Sequence, residues 1–455
     1  MTSADHLPEA FRQRMSALLG GGYRDFIASY DGAPVRAFRV NTIKISAERY
    51  AKIDPFAGKR IPFVKNGYYT ESDSFGSHPY HHAGMIYVQE PAAMSAAAAV
   101  RIEPDWRVLD VCAAPGGKST QLACGLESGV LVSNEIIPSR CRILAGNIER
   151  MGIKNAITTC ADSARLASLF GSEFDLTVVD APCSGEGMFR KNPQAASEWS
   201  EAAVRSCAKR QFEILSNVRS CVKSGGYLLY STCAFSLEEN EMVVDSFIRS
   251  NPEFRLVPVT PEVQSATSDG IFFDGCGIDN IHYCRRFYPH ISRGEGQFIA
   301  LMKKDEAAFN LSVNRISALT PVPENEKKYI FGFLDNTLEK YNRDAVMKYK
   351  DSFVYFDRDM VIPGGVAFSC GVTIGTLAKN YIKPHHQFFS AMGGCFKRKL
   401  SLDLRDAERY ISGETLECGC ENGWTAALIE DCALGGVKIT GGKAKNHYPK
   451  GLRNF

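Results

Sequence analysis

The residues best suited to chemistry in this chain are two cysteines that each follow a short apolar run. Cys183 lies in Asp180-Ala181-Pro182-Cys183-Ser184-Gly185, directly after Leu176-Thr177-Val178-Val179. Cys233 lies in Ser231-Thr232-Cys233, directly after Gly225-Gly226-Tyr227-Leu228-Leu229-Tyr230. Each run reads as a buried strand, and ligands of open α/β sheets bind outside the carboxyl ends of the strands. Two thiols at neighbouring strand ends would face one crevice. They would supply a nucleophile and a second group able to move a proton on a single substrate. Alone, either cysteine reads as a small buried residue; together, beside a cofactor loop, they read as a reacting pair.

The cofactor loop is Asp110-Val111-Cys112-Ala113-Ala114-Pro115-Gly116-Gly117-Lys118-Ser119-Thr120, which ends a strand and opens a helix. Its glycines let a ligand approach the backbone, and the helix start offers free N–H groups. Gly117-Lys118-Ser119 is the end of a phosphate-binding P-loop, but that motif requires glycine at position 112, which is Cys. The dinucleotide pattern Gly-x-Gly-x-x-Gly is absent as well. The next strand ends in Asn134-Glu135, where an acid commonly binds ribose hydroxyls; Glu135 as a helix-capping acid is the plainer alternative. A nucleoside cofactor without a phosphate clamp points to S-adenosylmethionine. Cys112, Ala113, Ala114, Pro115, Gly116, Gly117 and Lys118 are its expected cradle. Asp162, after the third strand, stands where an adenine amino group could be read, or serves only as the N-cap of the helix that follows.

The elements that must position these residues alternate strand with helix. Runs at 107–112, 129–134, 156–160, 174–180, 226–232 and 296–302 read as strands, and 138–151 and 198–223 as helices. This alternation predicts βαβ units and a parallel sheet covered on both faces. Residues 92–100 read as a buried Ala-rich helix. Before this core, residues 7–19 read as a helix, 35–45 as a β-like run and 68–82 as an aromatic loop. After it, 321–328 reads as a polar linker, and the last hundred-odd residues as short strands and turns, including 353–356 and 364–368.

The 455 residues have room for several domains, and 45% hydrophobic with 23% charged residues is an ordinary globular composition. A net charge of +2 leaves any nucleic-acid surface local. No apolar stretch reaches membrane-span length, so no membrane partner is expected. Residues 1–5 show no signal pattern, and the cytoplasm is the expected location. The 15 cysteines are odd in number and scattered, as for reduced thiols. Cys418 and Cys420, one residue apart, make a poor zinc pair, and no metal is expected.

Several segments together now identify a family. Gln89-Glu90-Pro91-Ala92-Ala93-Met94, the loop 110–118, Asp180-Ala181-Pro182-Cys183-Ser184-Gly185 and Ser231-Thr232-Cys233 resemble the Nop/Sun family of RNA cytosine-5 methyltransferases. Arg39-Val40-Asn41-Thr42 and the stretch 285–298 match further family segments. With Gly423-Trp424, the C-terminal Lys445-Asn446-His447-Tyr448-Pro449-Lys450-Gly451-Leu452-Arg453 resembles the bacterial branch that modifies a cytosine of 16S ribosomal RNA and carries a PUA-like module. Ala92 and Ser119 stand where other members can have Ser and Thr.

The resemblance implies a Rossmann-like methyltransferase core of class α/β, with N-terminal and C-terminal RNA-binding domains. The expected divisions are 1–85, 86–305, a linker domain 306–378, and a PUA-like domain 379–455. The expected reaction is methylation of cytosine carbon 5, and its chemistry explains why two thiols are needed. Carbon 5 is a poor nucleophile until a thiolate adds to carbon 6; after methyl transfer a base removes the carbon 5 proton and the thiol is eliminated. A free thiol has a pKa of about 8.5, so the site must favour its thiolate. The residues leave open which cysteine attacks. The resemblance assigns attack to Cys233 and product release to Cys183, with Asp180 holding the base at N3 or its exocyclic amine. A tRNA cytosine-5 methyltransferase and a catalytically idle ribosome assembly factor are the alternatives.

The target cytosine must be flipped out or single-stranded to reach a buried thiol. Arg39, Lys44, Arg190, Lys191, Lys445, His447, Lys450 and Arg453 are candidate RNA contacts. Lys438, Lys443, Lys445, Lys450 and Arg453 form a basic run at the chain end. His290 is a candidate for the base pocket. A monomer acting on RNA is the expected state.

Overall fold

The computed structural model describes residues 7–453 except 57 and 315; the segment 1–5 lies outside the described residues. The fold is built around strands β1 (Arg107–Asp110), β2 (Val130–Asn134), β3 (Ala156–Thr159), β4 (Phe174–Asp180), β5 (Val222–Thr232) and β6 (Gln297–Lys304). Their order is β3-β2-β1-β4-β5-β6. Neighbours from β3 to β5 run parallel, and β6 is antiparallel to β5. The α/β class with a Rossmann-like centre is therefore what forms. These strands are continuous apolar runs because helices cover both faces: Val178, Val179, Leu228 and Leu229 are all fully buried. Chain order reverses between β1 and β4, which opens a crevice at their carboxyl ends.

Helix starts are written in the local sequence. Asp162 accepts the Arg165 N–H at 2.8 Å to begin Ser163–Phe170, and Ser200 accepts the Ala203 N–H to begin Glu201–Val218. The expected buried helix is Pro91–Ala98.

Both sheet edges are extended. On one side Arg285–Phe287 and then Ser268–Asp269 follow β6. On the other, Ala367–Cys370 pairs with β3 and covers an edge that would otherwise expose its backbone groups. Thus a strand from beyond residue 305 completes the central sheet. The β-like run at 364–368 is this strand, shifted toward its C-terminal side.

The flanking parts are a sheet of Lys59–Arg60, Gly67–Tyr69, Ala37–Val40 and Ile86–Val88, and two more sheets after residue 319. The segment 321–328 is not a linker. Glu324–Thr337 is a helix behind Pro323, with Glu324 and Glu326 in its first turn and Ile330 and Leu334 in the core. Its apolar positions begin only after a run of charges, which hides the period. His386–Met392 and Leu404–Ser412 are likewise helices within a stretch read as strands and turns. The expected division at 378/379 falls inside the hairpin Val372–Ala378/Tyr381–Pro384. N- and C-terminal parts also share a core, in which Phe38 and Tyr50 belong to the same apolar cluster as Tyr410 and Leu434. No helix among the described residues is long and apolar enough to cross a membrane.

One buried ion pair ties the sheet edge to the segment that follows Cys233. Arg286 and Glu241, 2% and 0% exposed at their side chains, pair with each other. Arg286 also donates to the Phe235 carbonyl at 2.7 Å and to the Tyr288 hydroxyl at 3.1 Å. Removing one partner strands the other charge in the interior. Glu241→Ala is expected to lower the unfolding free energy by about 3–5 kcal/mol, read from urea titration.

Candidate active site

The pairing of β4 with β5 sets Asp180 opposite Ser231. Cys183 and Cys233 lie three and two residues further on, so both leave the sheet at the same edge of the crevice. Their Sγ atoms are 3.1 Å apart, within hydrogen-bonding reach. The bond to Cys233, together with burial, pushes the Cys183 thiol well above its ordinary range. Cys183 therefore holds its proton within reach of the second sulfur.

Asp180 sits below the pair and is held from three sides. Lys118 Nζ donates to Oδ2 at 2.7 Å, Ser231 Oγ donates to Oδ1 at 2.7 Å, and Gln297 Nε2 approaches Oδ1 at 3.4 Å. Burial alone would lower Lys118, but the Asp180 carboxylate reverses this and raises it. Lys118 is therefore a fixed cation under the site. Its helix, Gly117–Ala123, begins at Gly116, whose φ of 112° suits glycine.

A cavity of about 640 Å³ opens beside the thiols, of a size that suits a nucleoside-sized ligand. Cys112, Ala114, Glu135, Asp162, Asp180, Cys183 and Cys233 line it. Of the remaining loop residues, Lys118 reaches Asp180 from below and Gly117 packs against Gln89. Ala113 is buried, Pro115 is exposed, and Gly116 forms the turn. These are not lining residues; they shape the loop.

Glu135 is buried with one oxygen accepting the Ile137 N–H at 3.0 Å and the other 3.4 Å from Arg140. Asp162 caps a helix and faces the cavity at once. Behind the loop, Asp110 is fully buried, with Oδ2 bonded to Ser119 and Oδ1 without a partner. Burial and then the nearby Asp180 charge raise it to about 7, despite the Ser119 bond. The acids at the cavity wall, Glu135, Asp162 and Asp180, suit a cationic, polyhydroxylated nucleoside, so the residues fit S-adenosylmethionine.

Sequence reasoning passed over other lining groups. Arg210, Glu213 and Ile214 reach the cavity from Glu201–Val218, and their i, i+3, i+4 spacing was a readable sign of one helix face. Ile136, Ile137 and Arg140 carried no comparable signal.

Several expected RNA contacts are internal instead. Arg39 is fully buried and donates to Gln89 at 2.9 Å, to the Gly117 carbonyl at 2.9 Å and to Thr120, bracing the cofactor loop. Arg190 pairs with buried Glu295 and donates to the carbonyls of Ser29 and Gly294. Lys44 donates to the carbonyls of Ser390 and Ala433, linking N- and C-terminal parts. Charge in the sequence did not distinguish these from surface cations. Arg453 bonds the Tyr448 carbonyl, Lys191 is half-buried, and Lys445, His447 and Lys450 are exposed. His447 packs edge-on against Trp424, whose ring also lies under Lys438. His290 packs on Phe26 and Tyr288 and is not part of the cavity lining.

Comparison with known proteins follows the same layout. The 16S rRNA methyltransferase RsmB/F model matches residues 97–303. The N-terminal domain of 16S rRNA methyltransferase RsmF matches 7–91, and the RsmF PUA domain matches 397–454. Ribosomal RNA small subunit methyltransferase F of Vibrio parahaemolyticus is 28% identical over 98% of each chain. Its Klebsiella pneumoniae counterpart is 28% identical over 98% of this chain and 96% of its own. A methyltransferase homolog protein from Pyrococcus horikoshii superposes with a TM-score of 0.57 at 29% identity, covering 65% of this chain and 95% of that one. NSun6 from the same organism, solved with SFG, shares the fold at a TM-score of 0.54 and 22% identity, over 65% and 98%. The chain thus carries an RsmB/F-type 16S rRNA methyltransferase domain set between RsmF-type N-terminal and PUA domains, the layout of the relatives it resembles along nearly its whole length.

Proposed function

We propose that this RNA methyltransferase modifies carbon 5 of a cytosine in 16S rRNA through a transient bond between Cys233 and the base. The observation that carries this reading is the 3.1 Å approach of the Cys183 and Cys233 sulfurs at the wall of the cofactor cavity. Amino-group methylation needs no such pair.

When bound, S-adenosylmethionine supplies an electrophilic methyl group. Cys112, Ala114, Glu135 and Asp162 would hold it, with Glu135 on the ribose and Asp162 toward the adenine. The chain's own residues prepare the base. Cys233 thiolate adds to carbon 6 and makes carbon 5 electron-rich. Asp180, braced by Lys118 and Ser231, holds the ring at N3 or the exocyclic amine as charge develops. Cys183, kept protonated, assists release of the product and return of Cys233. Residues 1–85 and the PUA-like C-terminal part are proposed to present the RNA, with Lys445, His447 and Lys450 as exposed contacts on a monomer working in the cytoplasm.

Bisulfite mapping of 16S rRNA from cells lacking the protein should reveal a cytosine that has lost protection; an unchanged map would refute the assignment. Cys233→Ala is expected to lower methyl transfer at least a thousandfold. Cys183→Ala should instead leave protein covalently held on RNA, visible as a slow band on a denaturing gel. An adduct that forms only when Cys233 is removed would reverse the two roles. Glu135→Ala is expected to weaken cofactor binding at least tenfold by calorimetry, with little change in Tm.

A further inference from the structure

Each cysteine loop is held by a buried carboxylate that belongs to the other. Glu186, three residues after Cys183, is 1% exposed. Its Oε2 accepts the backbone N–H groups of Phe235 and Ser236 at 2.7 and 2.8 Å, just beyond Cys233, and its Oε1 accepts Trp199 Nε1 at 3.0 Å. Glu239, six residues after Cys233, is fully buried and reaches back. Its Oε2 accepts the Ser184 N–H at 2.9 Å and Gln211 Nε2 at 2.8 Å, and its Oε1 accepts the hydroxyls of Ser184 and Ser236. Between the two, the Gly187 N–H donates to the carbonyl of Cys233 itself at 2.6 Å. A Cβ at Gly187 would lie 2.6 Å from that oxygen, so the loops close only around glycine.

Holding two carboxylates close together in the interior is a costly way to join two loops. Burial and the neighbouring Glu239 charge raise Glu186 to about 7. Bonds to ionised acceptors are shorter and more directional than neutral ones, which is what a fixed sulfur spacing demands. Neither carboxylate is bonded to a sulfur, and neither lines the cofactor cavity.

We infer that Glu186 and Glu239 are positioning residues, which act through the two loop backbones to set the spacing of the Cys183 and Cys233 sulfurs. The importance of that spacing for turnover rests on the function proposed above; the spacing itself does not.

Diamide reports it directly in the reduced full-length protein. One thiol adds across the N=N bond and the second displaces it, forming S–S and leaving the hydrazine, so two thiols are oxidised as one azo group is reduced. Formation of the Cys183–Cys233 disulfide is followed by peptide mass spectrometry. In Glu186→Ala and Glu239→Ala it should be at least tenfold slower than in the parent. In the same variants kcat should fall at least tenfold, with KM for S-adenosylmethionine within twofold. Glu239→Gln, whose amide oxygen can keep the Ser184 and Gln211 N–H groups while its NH2 faces two hydroxyls able to accept, should recover most of the cross-linking rate. If the alanine variants do not fold, Glu239→Asp carries the test, since a side chain one methylene shorter draws its carboxylate away from the Ser184 and Gln211 donors; at least threefold slower closure is expected. Parent-like closure in the folded variants would overturn the inference, whatever the effect on kcat. Slower closure in a protein that methylates no cytosine would retain the clamp and discard the proposed reaction.

Discussion

The parallel pairing of β4 with β5 is the constraint on which the site depends. It is two-sided: Val178 and Val179 meet Leu229 and Tyr230 across the ladder, and all four are fully buried. A slip of one residue would turn each of these side chains to the wrong face. The same register sets Asp180 opposite Ser231, and from there each chain has only two or three residues in which to reach its cysteine. The hydrophobic core therefore determines how far apart the two sulfurs begin. The loops have only to complete the last few ångströms.

Around this pair the protein braces its charged groups against one another. Lys118 and Ser231 brace Asp180, Arg39 braces the helix that carries Lys118, and Arg286 with Glu241 anchors the Phe235 carbonyl next to the Cys233 loop. Such networks are costly to assemble and rigid once complete. A site built this way does not depend on a ligand to bring its groups together. The cysteine loops are also covered from the side: Phe11 of the N-terminal helix packs on Phe189, Trp199 and Phe235, which flank both.

The flanking parts are bound into the same body. Ala367–Cys370 closes the β3 edge, Lys44 bonds two carbonyls of the C-terminal part, and His82 meets the Tyr448 hydroxyl at 2.7 Å. Through these contacts the surface bearing Trp424, Lys438 and His447 is held in a defined relation to the cavity. That relation is set by packing rather than by a flexible tether.

The chain order of strands, the cofactor loop and the two strand-end cysteines were legible in the sequence, because each rests on local pattern: apolar runs of strand length, glycines at a helix start, motifs at strand ends. The helix Glu324–Thr337 was not, since its apolar face begins behind a charged first turn. Nor was the fate of Arg39, Lys44 and Arg190, because a cation in sequence looks the same whether it faces water or a buried carbonyl. The sequence by itself determined which chemical groups are available and the order in which they occur. Only the tertiary structure decided which of them meet. The 3.1 Å between sulfurs fifty positions apart, and the exchange of carboxylates between their loops, arise from strand register and packing that no local pattern encodes.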